Sequence, residues 1–203
     1  MDKYSPSVKW QIDTLIKMLS LAGNHVNEET ISSAINLVVS TSELQIYALH
    51  KLFIAIENNL GQEGLVKFGI YLIGEFGSDL VNNPAQGPDG ETIVVTEKMV
   101  TDLITQINER KYNSSSVKEY SLNCLMKLST KFTSNPSSQV ISELINREKT
   151  SYYCEVQQRA VEYSVFNSNT DPKLKNDITK HIPNSKIVKE DISKKYEILF
   201  YFF

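Results

Sequence analysis

Glycine and proline are scarce in this sequence of 203 residues. The eight glycines and six prolines make 14 of 203 residues, about 7%, where average proteins contain roughly 12%. Since an all-β fold with many chain reversals uses both residues at its turns, this shortage argues against such a fold. The two cysteines cannot form a disulfide framework, and a chain of this length can bury a core without one.

Long apolar runs and a strong charge of one sign are also missing. No apolar run approaches the roughly 20 residues that a membrane helix needs, and the first six residues do not read as the start of a signal peptide. The formal net charge of −3 provides no field that would attract nucleic acid to the chain as a whole. We therefore expect a cytoplasmic protein that binds no nucleic acid.

Residue patterns typical of catalysis or metal binding are missing as well. The histidines, His25, His50 and His181, are scattered and form no zinc-binding motif. Cys124 and Cys154 do not form a Cys-x-x-Cys pair, and no phosphate loop or nucleophile elbow occurs. The sequence therefore predicts no enzyme activity, no cofactor and no metal site.

Apolar residues at helical spacing recur along almost the entire chain. They predict about eight helices of about 12–18 residues, followed by a short helical piece that begins at residues 171–172. Asn27, Ser42, Thr96 and Ser114 are the predicted starts of the second, third, fifth and sixth helices. The fourth helix is predicted to end near Gly77.

One clear loop interrupts this pattern at residues 82–95, where turn-forming residues concentrate. Ile93 and the two valines after it read as an extended approach to the next helix and not as a sheet strand. With that loop treated as an insertion, pairs of helices recur at intervals of about 36–42 residues, which is typical of HEAT or armadillo repeats. The fold class predicted is thus all-α, an α-solenoid of helical hairpins, although periodicity alone also allows a compact helical bundle.

Residues 1–183 read as a single helical-repeat segment, and residues 184–203 as a separate tail. The tail is rich in lysine and ends in the apolar run 198–203, ILFYFF. A solvated segment is the simplest interpretation of its interleaved lysines and acids. An exposed apolar end would favour aggregation or docking to a partner.

Several stretches together resemble the adaptins, the large subunits of clathrin adaptor complexes, and the gamma type more than the alpha type. The stretches are, in order, 3–6 (KYSP), 10–14 (WQIDT), 21–26 (LAGNHV), 73–77 (IGEFG), 95–97 (VTE), 126–132 (MKLSTKF) and 155–163 (EVQQRAVEY). Their order and spacing cover residues 3–166. Beyond about residue 183 the sequence departs from the family pattern.

The resemblance implies a curved helical scaffold from the C-terminal half of an adaptin trunk, acting in vesicle transport between the trans-Golgi network and endosomes. The partners implied are the beta-type large subunit, the medium mu subunit and the small sigma subunit. Clathrin and an Arf-type GTPase would be reached only through parts of the full-length subunit absent here, and membrane contact would be indirect. The resemblance also implies that the protein is held peripherally on trans-Golgi, endosome and clathrin-coated vesicle membranes.

The residues singled out by the resemblance are expected to serve packing rather than chemistry. Those on the fourth and eighth helices are Gly74, Glu75, Gly77, Glu155, Gln157, Gln158, Arg159, Glu162 and Tyr163. Glycines allow neighbouring helices to approach closely, and charged residues at helical spacing can tie one helix to the next. An alpha-type adaptin trunk and a coatomer-like or importin-like scaffold remain alternatives at this point.

Overall fold

The computed structural model describes residues 7–86, 92–110, 114–169 and 171–180. Over these residues the chain forms nine α-helices and one pair of two-residue strands. In chain order they are α1 Val8–Ala22, α2 Glu28–Ser40, α3 Gln45–Asn58, α4 Glu63–Asn82, β1 Ala85–Gln86, β2 Thr92–Ile93, α5 Glu97–Glu109, α6 Ser115–Lys131, α7 Asn135–Arg147, α8 Cys154–Ser168 and α9 Pro172–Thr179. The tail 184–203 and His181 lie outside the described residues.

Most of the predicted helix starts coincide with side chains that cap the helix. The side-chain oxygens of Asn27, Thr96, Ser114 and Asp171 each accept a hydrogen bond from a backbone N–H in the first turn of α2, α5, α6 and α9. Such caps satisfy donors that have no partner within the helix. The prediction for Ser42 was wrong, because Ser42–Leu44 is a 3₁₀ turn and α3 begins only at Gln45.

The fourth helix does not end near Gly77 as predicted. It continues to Asn82 through a kink at Phe76, whose φ of −123° and ψ of 21° are not helical. Leu80, beyond the kink, is fully buried. A glycine lowers helix propensity but does not stop a helix that tertiary packing holds together.

The prediction that Ile93 belongs to no strand was also wrong. Thr92 and Ile93 pair in antiparallel register with Gln86 and Ala85, and these pairings close the loop between α4 and α5. Near its base, His50 Nε2 lies 2.8 Å from the carbonyl oxygen of Asn83. The predicted loop 82–95 is thus anchored to α3 at its start, and its tip at 87–91 lies outside the described residues.

The helices stack as successive pairs in two layers. The pairs α1–α2, α3–α4, α5–α6 and α7–α8 each pack together, while α2, α4, α6 and α8 follow one another in one layer. In the other layer α1 packs on α3 and α5 on α7. Extensive contacts join only helices up to three positions apart in the described part of the chain. The predicted all-α solenoid of helix pairs is therefore confirmed.

The core is continuous through the stack and is densest at α4, where 13 of 20 residues are buried. Close approach of backbones contributes near the start of this helix. A Cβ added at Gly64 would lie 2.6 Å from the carbonyl oxygen of Gly23, which is too close for any residue with a side chain. A Cβ added at Gly61 would have its nearest neighbouring atom 3.5 Å away, an ordinary contact. No helix among the described residues is both long and apolar enough to cross a bilayer.

Polar contacts fasten several of the links between helices. Lys67 of α4 pairs with Glu28 in the first turn of α2 at 2.6 Å. Glu97 of α5 accepts hydrogen bonds from the backbone N–H of Thr133 and Ser134 and from the Ser134 hydroxyl. The latter contacts hold the link between α6 and α7 against the start of α5.

A junction of helices α4, α6 and α8

Two glycines on α4 lie against α6. A Cβ added at Gly74 would come within 3.1 Å of the Cα atom of Cys124, and one added at Gly77 within 2.5 Å of the Leu128 side chain. Both distances are shorter than ordinary van der Waals contact. At these two turns α4 and α6 are as close as the absence of a side chain allows.

The kink in α4 falls between these glycines and is bridged by a lysine from α6. The Lys131 ammonium donates hydrogen bonds to the carbonyl oxygens of Gly74, at 2.7 Å, and of Glu75. Sharp bends in helices occur at glycines and where a side chain inserts into the backbone hydrogen-bond ladder, and both conditions are met here. Lys131 thus supplies donors to carbonyl groups at the point where α4 departs from helical geometry.

Glu75 and Lys127 form an ion pair across the same contact. The Lys127 ammonium donates to Glu75 Oε1, and the side chains are only 3% exposed for Glu75 and 19% for Lys127. The ammonium also lies 5.6 Å from the centre of the Tyr71 ring, a distance at which a cation and a ring attract. A charge buried to this extent is tolerated only when it is paired.

Burial perturbs the titration of the groups at this junction. Desolvation, together with the neighbouring Lys131 ammonium, lowers the pKa of Lys127 to about 8, and desolvation also lowers the pKa of Lys131. The pKa of the Cys124 thiol is raised to about 12, chiefly by burial. At neutral pH Lys127 is therefore mainly charged, and Cys124 is a neutral thiol that packs as an apolar residue.

A polar cluster centred on Asn123 of α6, one turn before Lys127, joins α6 to α8. Its Oδ1 accepts a hydrogen bond from the Tyr163 hydroxyl at 2.5 Å and from Arg159 Nη1 at 3.4 Å. Arg159 Nη2 also lies 3.8 Å from the Glu119 carboxylate of α6. Val156 and Ala160, both fully buried, are the buried residues of α8.

The remaining residues singled out on α8 make local contacts. Gln157 donates to the carbonyl oxygen of Lys149 at 3.0 Å, and Gln158 donates to Glu162 one turn later at 2.9 Å. Glu155 lies 3.9 Å from Arg159 within the same helix. The described contacts of Glu155 and Glu162 therefore stay within α8, whereas Arg159 and Tyr163 reach α6.

The resemblance selected the stretches 73–77, 126–132 and 155–163, the second of which contains Lys127 and Lys131, but it did not indicate that the three meet in the fold. Lys127, Lys131, Asn123 and Glu119 were not singled out as individual residues. A signal for the lysines was present, because they recur at i and i+4 in a stretch that also carries Leu128 and Phe132. No comparable signal marks Asn123.

The side chains of the junction contact neighbouring helices and one another. Across the described residues no group of three or more histidine, cysteine or acidic side chains could hold a metal ion. His50 lies near the base of the loop between α4 and α5, and Cys154 lies on the surface at the start of α8. Neither is joined to a nucleophile, base and acid arrangement in the contacts described above.

A stack of helix pairs, joined by buried contacts between successive pairs, defines a helical-repeat scaffold. The model of the adaptin N-terminal region matches residues 1–171, and the chain therefore belongs to the adaptin family.

Curated relatives of the chain include gamma subunits of AP-1 complexes. The chain is 39% identical over 168 residues to the AP-1 complex subunit gamma of Dictyostelium discoideum, which covers 81% of this chain and 19% of that protein. It is 34% identical to the gamma-1 subunit of Mycosarcoma maydis, over 84% of this chain and 20% of that protein. The gamma-1 subunit of Arabidopsis thaliana is 35% identical, over 81% of this chain and 18% of that protein. The chain thus spans about a fifth of the length of these relatives.

Proposed function

We propose that this chain forms part of the trunk, its C-terminal half, of a gamma-type large subunit in an AP-1-type clathrin adaptor complex. The observation that carries the proposal is the similarity to AP-1 gamma subunits from an amoeba, a fungus and a plant over at least 81% of the chain. The packing of stretches 73–77, 126–132 and 155–163 into one junction supports it, because separate matches then describe one structural unit.

The mechanism proposed is that of a scaffold without enzymatic activity. Helix pairs that contact only their neighbours build an extended curved surface on which other proteins can assemble. The polar side chains of the α4–α6–α8 junction are directed between helices, where they set the spacing and orientation of successive pairs. Gly74, Glu75, Gly77, Arg159 and Tyr163 would then act in assembly by keeping the scaffold in one shape.

The proposed partners are the beta-type large subunit, the medium mu subunit and the small sigma subunit. Clathrin and an Arf-type GTPase would bind through parts of the full-length subunit outside this segment. The complex would work in the cytoplasm, held peripherally on trans-Golgi, endosome and clathrin-coated vesicle membranes, in transport between the trans-Golgi network and endosomes.

The test is co-purification of the full-length protein from the cells that express it. A tagged full-length protein should bring down beta, mu and sigma subunits, identified by mass spectrometry. Recovery of none of the three would overturn the adaptor proposal, and recovery of the medium and small subunits of the plasma-membrane complex would assign the chain to the alpha type.

A pair of variants connects this test to the junction. Leu128 is fully buried against Gly77. The full-length protein with Leu128→Asp should no longer bring down the three subunits, because a buried unpaired charge disrupts the α4–α6 contact. Gln158→Ala removes only a surface contact within α8. The protein with this substitution should still bring down the three subunits.

A further inference from the structure

The carboxylate of Glu97 ties the first turn of α5 to the link between α6 and α7. It accepts hydrogen bonds from the backbone N–H of Thr133 at 3.2 Å and of Ser134 at 3.1 Å, and from the Ser134 hydroxyl. Thr133 and Ser134 are 36 and 37 residues away from Glu97 along the chain. One carboxylate therefore joins the third helix pair to the start of the fourth.

This tie depends on a negative charge that no cation accompanies. Partial burial acts to raise the pKa of Glu97, but the hydrogen bonds from Ser134 and Thr133 outweigh burial and lower it, so the carboxylate is ionised at neutral pH. In the part of the chain that the structure describes, no ion pair includes Glu97. A second negative charge placed beside it would be repelled without compensation.

Thr133 places a hydroxyl beside this carboxylate and within reach of solvent. The residue is exposed, and both of its neighbours have extended backbone, with φ −88° and ψ 128° at Phe132 and φ −71° and ψ 131° at Ser134. The Ser134 hydroxyl is instead bonded to Glu97, and Ser134 is half-buried. Within this link, Thr133 is thus the hydroxyl that a modifying enzyme can reach at the surface.

We propose that Thr133 is a phosphorylation site and that its phosphate displaces the Glu97 carboxylate from the start of α7. A protein kinase would transfer the γ-phosphoryl group of ATP to Thr133 Oγ1. The new P–O bond replaces the bond from the γ-phosphorus to the ADP leaving group, and the hydroxyl proton passes to the base of the kinase. This inference goes beyond the adaptor function and does not depend on it.

Helix α7 itself would tolerate the phosphate. Thr133 directly precedes Ser134, the N-terminal capping position of α7, and a charge of about −1.5 to −2 is favourable near the start of a helix. Beside Glu97 the same charge is repelled. Phosphorylation should therefore leave α7 helical but release its start from α5, so that the fourth helix pair is held less firmly to the third.

A cycle of variants in the full chain tests the displacement. Phosphoserine, introduced during biosynthesis, replaces Thr133 in one variant and Ser138 in its matched control, and each is made both in the original protein and together with Glu97→Gln. Ser138 is exposed near the start of the same helix, and its described hydrogen bonds do not involve Glu97. Thr133→Ser is the unmodified reference.

Urea unfolding is the measurement. Phosphoserine at position 133 should lower the ratio of folded to unfolded protein about tenfold relative to Thr133→Ser, as expected for the loss of hydrogen bonds to a charged group. With Glu97→Gln the loss should be less than about threefold, because no carboxylate remains to be repelled. The phosphate at position 138 should have the same effect in both backgrounds. An effect at position 133 that does not depend on Glu97 would overturn the proposed displacement.

Peptide mapping of the full-length protein tests whether the site is used. Trypsin releases residues 132–147 as one peptide, because it cleaves after Lys131 and Arg147 and no basic residue lies between them. In protein purified from the cells that express it, with phosphatases inhibited, fragmentation of this peptide should locate a phosphate on Thr133, and Thr133→Val should abolish it. A peptide that carries no phosphate, or carries it only on Ser138, would overturn the assignment of the site.

Discussion

The Glu75–Lys127 pair allows a quantitative test of the α4–α6 junction. Lys127→Met keeps the approximate length of the side chain but takes the Lys127 ammonium away from a carboxylate that is only 3% exposed. Removing one member of a buried pair costs about 3–5 kcal/mol. Because the Lys131 ammonium donates to the carbonyl oxygen of Glu75 itself and so keeps a positive charge near this residue, we expect the lower end, about 3 kcal/mol.

The double variant Glu75→Met/Lys127→Met removes both charges and fills the space with apolar atoms. Such replacements of a whole buried pair are often neutral, so we expect its stability to be within about 1 kcal/mol of the original. Glu75→Met alone should cost about 2 kcal/mol, since the flexible Lys127 is 19% exposed and can turn its ammonium towards water. The double variant would then be more stable than either single variant.

The assay is equilibrium unfolding in urea followed by far-UV circular dichroism at neutral pH. Neutral pH is required because the pKa of Lys127 is about 8, so the ion pair is intact there and is lost in more basic solution. A loss of about 3 kcal/mol also predicts a melting temperature about 6–12 °C lower for Lys127→Met. Additive effects of the two substitutions, or a cost for Lys127→Met below about 1 kcal/mol, would refute the argument that the pair is buried and coupled.

Further changes test other contacts of the stack. Gly64→Ala should destabilise the protein by about 2 kcal/mol or more, because the new Cβ would lie 2.6 Å from a backbone oxygen of Gly23. Asn123→Ala should cost about 1–3 kcal/mol in urea unfolding, since it leaves a half-buried tyrosine hydroxyl without its acceptor. Glu97→Gln should lower stability at neutral pH, and the difference from the original protein should shrink as the pH falls below about 4.5.

The sign of the Glu97 effect follows from its surroundings. Partial burial acts to raise its pKa, but hydrogen bonds from Ser134 and from the backbone of Thr133 outweigh burial and lower the pKa below 4.5. A carboxyl group with a lowered pKa stabilises the fold above its unfolded-state pKa, and this contribution is lost as it becomes protonated. Urea midpoints measured across the acid range would contradict this account if the gap between the two proteins stayed constant.

Matched controls separate these effects from general sensitivity to substitution. Gly61→Ala places its Cβ at an ordinary 3.5 Å from Arg110 and should be neutral or slightly stabilising in the same urea experiment. Gln158→Ala, on the exposed face of α8, should change stability by no more than about 0.5 kcal/mol. A Gly64→Ala variant as stable as Gly61→Ala would show that the backbones of α4 and the chain near Gly23 can move apart at little cost.

The sequence predicted the helices well because their signals are local. Asn27, Thr96 and Ser114 act within one turn of their own position, so a cap can be recognised without knowledge of the fold. The end of α4 could not be recognised in this way, since its continuation past Gly77 depends on burial of Leu80 and on a lysine 57 residues further along the chain. Long-range contacts of this kind leave no periodic pattern in the sequence.

Some residues of the α4–α6–α8 junction could be selected from the sequence, but their contacts could not. Resemblance to adaptins selected Gly74, Glu75 and Arg159 without indicating what each of them touches. Asn123 was missed because a single asparagine in a helix gives no signal until its partner, Tyr163 on α8, is known. The pairing of Thr92–Ile93 with Ala85–Gln86 was missed because strands of two residues are too short for alternation to be seen.

The bend at Phe76 has a consequence for the stiffness of the molecule. In a stack where each helix pair contacts mainly its neighbours, a small rotation at the Phe76 kink changes the orientation of all the helix pairs that follow it. Lys131 donates hydrogen bonds to the carbonyl oxygens of Gly74 and Glu75 beside this kink, and so it opposes bending of α4 there. A protein without the Lys131 ammonium would keep its helices, but the curvature of the helix stack would vary over a broader range.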